Sequence, residues 1–139
     1  MSESLKIWIS IPPRELSPNA RVHWAQKSRA VARYRNEAFL SALEAMGRDK
    51  KGFPWPGAIL VAEFHFLTKR KRDRDNLAAS LKSAIDGFAD AGIVKDDNTI
   101  RIAGVLVVVG SRRPGVEIEL ARAERTVAVR AGRMKGGKA

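Results

Sequence analysis

Cysteine is absent from all 139 residues, so the chain forms no disulfide and offers no thiolate to a metal or to a nucleophilic mechanism. Histidine is confined to His23 and His65, which leaves carboxylate oxygens as the main donors for any metal. There is no glycine-rich phosphate loop of the Walker type and no plausible catalytic triad, so no nucleotide cofactor is expected. Aromatic residues make up only 6% and form no strand suited to stacking single-stranded bases. No apolar run exceeds five residues, as in Val105 to Val109, against the roughly 20 that a membrane crossing needs. The opening MSESLKIWISIPP is too short and too interrupted by polar residues for a cleavable leader. With the lack of cysteine, this leads to the expectation of an intracellular, cytoplasmic protein without a membrane partner.

Acidic residues are also few. Fifteen Asp and Glu stand against 26 Lys and Arg, a formal net charge of +11 and a pI of about 10.7. Such a surplus points to a polyanionic partner, nucleic acid first. The length suits one domain able to bury roughly two thirds of the surface of its unfolded chain.

Leu5, Ile7, Ile9 and Ile11 alternate with polar or larger neighbours, the period of a half-buried strand that Pro12-Pro13 stops. A loop through Ser17-Pro18-Asn19 leads to a proline-free and glycine-free stretch from Arg21 to Met46. It predicts a long helix, ended by Gly47, whose polar side carries Lys27, Arg29, Arg33 and Arg35. Lys50 to Pro56 reads as a turn and Ile59 to Leu67 as a second strand, with Phe64 and Trp8 expected in the core. Apolar residues at Leu77, Leu81, Ala84, Ile85 and Phe88 predict a single helix from Asp75 to Ala91, with Gly92 as the stop. Thr99 to Gly110 and Gly115 to Ala121 read as two further strands. The resulting fold class is α+β, a small mixed sheet covered by helices in one domain spanning 1–124. Residues 125–139 read as a basic tail.

The aspartates are unevenly placed. Six of the seven, Asp73, Asp75, Asp86, Asp90, Asp96 and Asp97, fall between residues 73 and 97, a window without glutamate. Asp73 and Asp75 lie inside the densest basic run, Lys69-Arg70-Lys71-Arg72-Asp73-Arg74-Asp75-Asn76. On one continuous helix Lys82 and Asp86 return to within roughly 20° of Asp75, which gives a carboxylate-lysine-carboxylate face. Carboxylates from a loop, a helix start and the Asp96-Asp97 turn repel one another unless a cation lies among them. Oxygen donors favour a hard ion, Mg²⁺ or Mn²⁺. Local chemistry is the competing explanation, because Asp75 before Asn76 also suits a helix cap and Asp-Asp-Asn a turn. An EF-hand does not fit, since Ala78 stands where its glycine is required. His23-Trp24 at the start of the long helix reads as packing, or as a contact to nucleic acid.

Asp73-Arg74-Asp75-Asn76-Leu77, Leu81-Lys82, Asp86-Gly87, Asp90-Ala91-Gly92-Ile93-Val94 and Asp96-Asp97 together resemble the signature of the RusA-like Holliday junction resolvases. Ile11-Pro12-Pro13 and Ser17-Pro18-Asn19 add a weaker echo of that family's N-terminal strand and proline-rich loop. The resemblance implies a RusA-like α+β homodimer, bacterial and encoded by cell, phage or prophage, that cuts four-way DNA junctions by paired nicks with Mg²⁺ or Mn²⁺. It implies Asp73, Asp75 and Asp97 as catalytic, metal-holding carboxylates and Lys82 as the catalytic lysine. Lys69, Arg70, Lys71, Arg72, Arg74 and Asn76 then contact DNA. One departure stands out: the family lysine comes four residues after the second aspartate, where this chain has Ala79, and Lys82 comes seven after. A basic protein that binds branched DNA without cutting it is the alternative.

Overall fold

The computed structural model describes residues 3–48 and 52–124, so the tail at 125–139 and part of the turn before Pro56 lie outside the described residues. Its elements are β1 (Ser4–Ile9), α1 (Trp24–Met46), β2 (Gly57–Phe66), α2 (Arg74–Ala79), α3 (Lys82–Ala91), β3 (Ile100–Val109) and β4 (Gly115–Ala123), with 3-10 turns at Arg14–Leu16 and Asp97–Thr99. The four strands form one mixed sheet in the order β1-β4-β2-β3. β4 is antiparallel to both β1 and β2, and β2 is parallel to β3. This is the expected α+β class.

β1 follows its alternation, with Ile7 and Ile9 buried and Lys6 exposed. It ends before Ser10, short of the expected Ile11, because the polar groups of Ser10 are drawn to α1 and away from a strand ladder. Its N–H and hydroxyl each donate to the Glu37 carboxylate at 2.7 Å, and its carbonyl accepts from the buried Tyr34 hydroxyl at 2.6 Å. α1 starts three residues later than Arg21. His23 caps it, a ring nitrogen accepting from the Ala25 N–H at 3.1 Å, while Trp24 is 76% exposed and packs against no core. The buried stripe of α1 is Ala30, Tyr34, Ala38, Ala42 and Met46, spaced four apart, and its alanines admit a close neighbour.

That neighbour is α3, and Gly87 sets the approach. A Cβ at Gly87 would lie 2.3 Å from the Arg35 carbonyl oxygen and 3.0 Å from Ala38 Cβ. Ala84, Ile85, Phe88 and Ala91 of α3 join Leu60, Ala62, Phe64, Val116, Ile118 and Leu120 of the sheet in one core with the α1 stripe.

The expected helix from Asp75 to Ala91 is two helices. Ser80 closes α2, with its hydroxyl donating to the Leu77 carbonyl at 2.7 Å, and Leu81 turns at φ −89°, ψ 0° before α3 begins. A serine hydroxyl that takes a carbonyl three residues back competes with the helical ladder. The turn at Leu81 leaves that side chain fully buried.

β3 and β4 do not form a hairpin. Gly110 and Ser111 donate to the carbonyls of Leu67 and Phe66, so the connection passes over the end of β2, which lies between the two strands. Where β2 meets β3 the register slips: Leu60 pairs with Ile102 but Val61 with Gly104, leaving Ala103 unmatched. Trp8 is not core as expected. It lies half-buried on the opposite face of the sheet over Gly115, where a Cβ would come within 2.2 Å of the indole.

Candidate nucleic-acid and metal site

The basic loop descends from β2 into α2. Within it Arg72 folds back: its guanidinium carbon lies 3.6 Å from the centre of the Phe66 ring and Nη1 donates to the carbonyls of Thr68 and Arg70. Burial and the neighbouring Arg70 lower its pKa from the ordinary value. Lys69, Arg70, Lys71 and Arg74 are exposed.

The cap of α2 is Asp73, not Asp75. Oδ1 of Asp73 accepts from the N–H of Asp75 at 2.8 Å and of Asn76 at 3.4 Å, satisfying two of the N–H groups a helix start leaves open. Oδ2 of Asp73 and both oxygens of Asp75 carry no hydrogen bond among the described residues, and both side chains face solvent. As donors this pair fits Mg²⁺, which keeps several waters and needs only one or two carboxylates.

Asp97 is engaged elsewhere. Lys82 Nζ donates to Asp97 Oδ2 at 2.5 Å and to Asp86 Oδ1 at 2.8 Å. Asp73, Asp75 and Asp97 do not bring three ligand oxygens within 4.8 Å of one another among the described residues. Because the helix breaks at Ser80, the expected continuous face splits, with Asp75 on α2 and the Lys82-Asp86 pair on α3. The aspartates Asp86, Asp90, Asp96 and Asp97, with Arg35 and Lys95, surround a small polar cleft. Arg35 grips Asp90 with two bonds of 2.6 and 2.8 Å and reaches Asp86 at 4.0 Å. The contact of Arg35 with Asp90 spans 55 residues, and no local pattern foretells it.

Two grooves flank α2. One runs between the proline-rich loop and the basic loop, lined by Pro12, Pro13, Arg14, Arg70, Arg72 and Asn76. The other lies against α1, lined by Pro18, Lys27, Ala79, Lys82, Ser83 and Asp86. Both include Ser80. Arg14 and Lys27 thus join the charged set; Lys27 was expected on the polar side of α1, whereas Arg14 was not singled out by its sequence context.

The ion pairs shift their members in opposite senses. Hydrogen bonds from Lys82, then its charge, hold the Asp97 carboxyl below its ordinary value of 3.8, and those from Arg35 do the same for Asp90. The Lys82 ammonium is raised above 10.5 by Asp86 and then Asp97. Exposed pairs of this kind contribute about 0–1 kcal/mol each, so they orient more than they stabilise. Carboxylates with lowered folded pKa contribute stability that is complete above about 3.8, their unfolded value, and lost as pH falls through the folded pKa. Arg35→Gln is therefore expected to lose less stability than wild type between pH of about 4 and about 2 in urea titrations, with the two unfolding curves converging at the acid end. Parallel pH profiles would contradict the assignment.

The arrangement defines a small α+β protein with a basic loop, an open aspartate pair and a lysine-carboxylate network along one side. No family model matches the chain. It is 36% identical over 107 residues, 70% of this chain and 69% of the relative, to an uncharacterized protein of Xylella fastidiosa (strain Temecula1). The chain belongs to the same family as that protein. Among the described residues no helix is long and apolar enough to cross a membrane.

Proposed function

We propose that this protein is an Mg²⁺-dependent, structure-selective endodeoxyribonuclease of the RusA-like kind that resolves four-way DNA junctions by paired nicks, acting as a homodimer. The observation that carries the reading is the meeting of two grooves at Ser80. Arg14, Arg70, Arg72 and Asn76 line one, and Lys27, Lys82 and Asp86 line the other. A charged surface that can follow a phosphate backbone therefore extends from the basic loop to the lysine.

On this reading Lys69, Arg70, Lys71 and Arg74 hold backbone phosphates beside the cut, and Asn76 sits at the wall of the groove. Asp73 and Asp75 hold the metal, with Asp73 fixed by its cap bonds through one oxygen and free through the other. Bound Mg²⁺ supplies a Lewis acid and a water of lowered pKa. Lys82 contacts the phosphate at which the strand is cut, and its ties to Asp86 and Asp97 set the position of its ammonium. Asp97, here paired with Lys82, would be the further carboxylate offered to the ion.

A second reading, a binder of branched DNA without catalysis, is favoured by one observation. Asp73 and Asp97 both have structural partners, a helix start and Lys82. Incubation of the protein with a labelled synthetic four-way junction and with its linear duplex arms, in Mg²⁺ and in EDTA, separates the two. Symmetric nicks near the crossover, in the junction alone and only with Mg²⁺, are the expected result. A junction that is bound in Mg²⁺ and in Mn²⁺ but stays whole decides for the binder.

A further inference from the structure

The sheet face turned away from the helices carries Glu63 and His65 on β2 and Glu117 on β4. Residues two apart on a strand share a face, and Glu117 is the register partner of Glu63. The three side chains stand together by construction. Like charges directly opposite on antiparallel strands destabilise the pairing, so the two glutamates call for a cation between them. Lys6 answers only in part: its Nζ is 3.9 Å from Glu117 Oε2, and its side chain is 69% exposed.

His65 Nε2 lies 2.9 Å from Glu63 Oε1, and one ligand atom from each of the three residues lies within 4.8 Å of the others. A tetrahedral shell with bonds of about 2.1 Å sets its donors about 3.4 Å apart, inside the 4.8 Å limit that holds for all three. The imidazole is also fixed from its flank. The Trp8 ring centre is 5.4 Å from that of His65. Trp8 reaches this place because Gly115, the register partner of His65, has no side chain to obstruct the indole. Arg113 lies 5.0 Å over the other ring of the pair, Trp8, and not against the glutamates.

We propose that Glu63, His65 and Glu117 form a binding site for one divalent transition-metal ion of the zinc class, tying β2 to β4. One imidazole nitrogen with two carboxylates suits Zn²⁺, whereas Mg²⁺ selects all-oxygen surroundings. Three protein donors leave a fourth position to water. The site is separate from Asp73 and Asp75 and does not depend on the nuclease reading.

The test is calorimetric titration of the untagged full chain with ZnCl₂ in excess Mg²⁺, with thermal melting beside it. One Zn²⁺ per chain is expected, with a raised Tm. His65→Asn and Glu117→Gln weaken binding by about tenfold or more and remove the Tm rise. His23→Asn, which removes the other histidine in the chain, and Asp75→Asn leave both unchanged. Should His65→Asn not fold, Glu117→Gln carries the comparison alone. Zn²⁺ binding undiminished in the Glu117 and His65 variants, or no Zn²⁺ binding by the wild type, overturns the proposal.

Discussion

Asp75→Asn is expected to lower single-turnover cutting of a four-way junction by about a thousandfold or more, which is about 4 kcal/mol in activation free energy. The carboxylate of Asp75 stands in the first turn of α2, exposed, with no hydrogen bond among the described residues. Nothing in the fold uses it, so the amide, nearly identical in shape, should shift stability by no more than about 0.5 kcal/mol. What changes is its charge, the property a hard cation requires of a ligand. Junction binding should persist or tighten, because a negative charge leaves a surface that meets phosphates. Asp73→Asn is the informative companion, since asparagine caps helices as well as aspartate does. It should also fold and also lose cutting. If Asp75→Asn cuts at the wild-type rate, the metal role of the pair is wrong.

Gly87→Val is expected to cost about 3 kcal/mol and to lower Tm by roughly 10 °C, more than any exposed substitution in the site. The first added carbon already falls 2.3 Å from the Arg35 carbonyl oxygen, and that oxygen belongs to helical backbone. Relief requires moving α3 off α1, which opens the alanine stripe at Ala38 and disturbs Phe88 in the core. A β-branched residue adds the cost of a restricted rotamer in a helix. Gly87→Ala should fall between the two, at about 1–3 kcal/mol. The same displacement pulls Arg35 from Asp90, so the valine variant should also lose the acid sensitivity assigned to that pair. A melting temperature within a degree of wild type would mean that the two helices are not in the contact described.

Local pattern carried much of the fold. Alternation at Ile7 and Ile9 and at Val116, Ile118 and Leu120 marked strands whose inner faces are these residues. Gly47 and Gly92 marked the ends of α1 and α3. Glu63 and His65 were readable as one side of β2. The misreadings have physical causes. The helical period runs unbroken through Ser80, yet a hydroxyl competing for the Leu77 carbonyl ended α2 there. Asp73 and Asp75 are equal candidates for a cap by type, and only the loop geometry chose Asp73. Trp8 looks like core by hydrophobicity, but the parity of β1 sends it to the face opposite Ile7 and Ile9. The pairing of Glu63 with Glu117 and of Arg35 with Asp90 depends on strand register and helix docking, which no short stretch encodes.

The unmatched Ala103 gives β3 a change of frame. Before it, Ile100 and Ile102 stand beside the inward residues Ala58 and Leu60, and after it Val105 and Val107 stand beside the inward Ala62 and Phe64. The inward set passes from even to odd numbers, and the run from Val105 to Val109 reads as continuously apolar because its outward Leu106 and Val108 are apolar too. It follows that β3 holds one residue in surplus. Excising Ala103 would join the two halves in a regular ladder with every side chain on its present face.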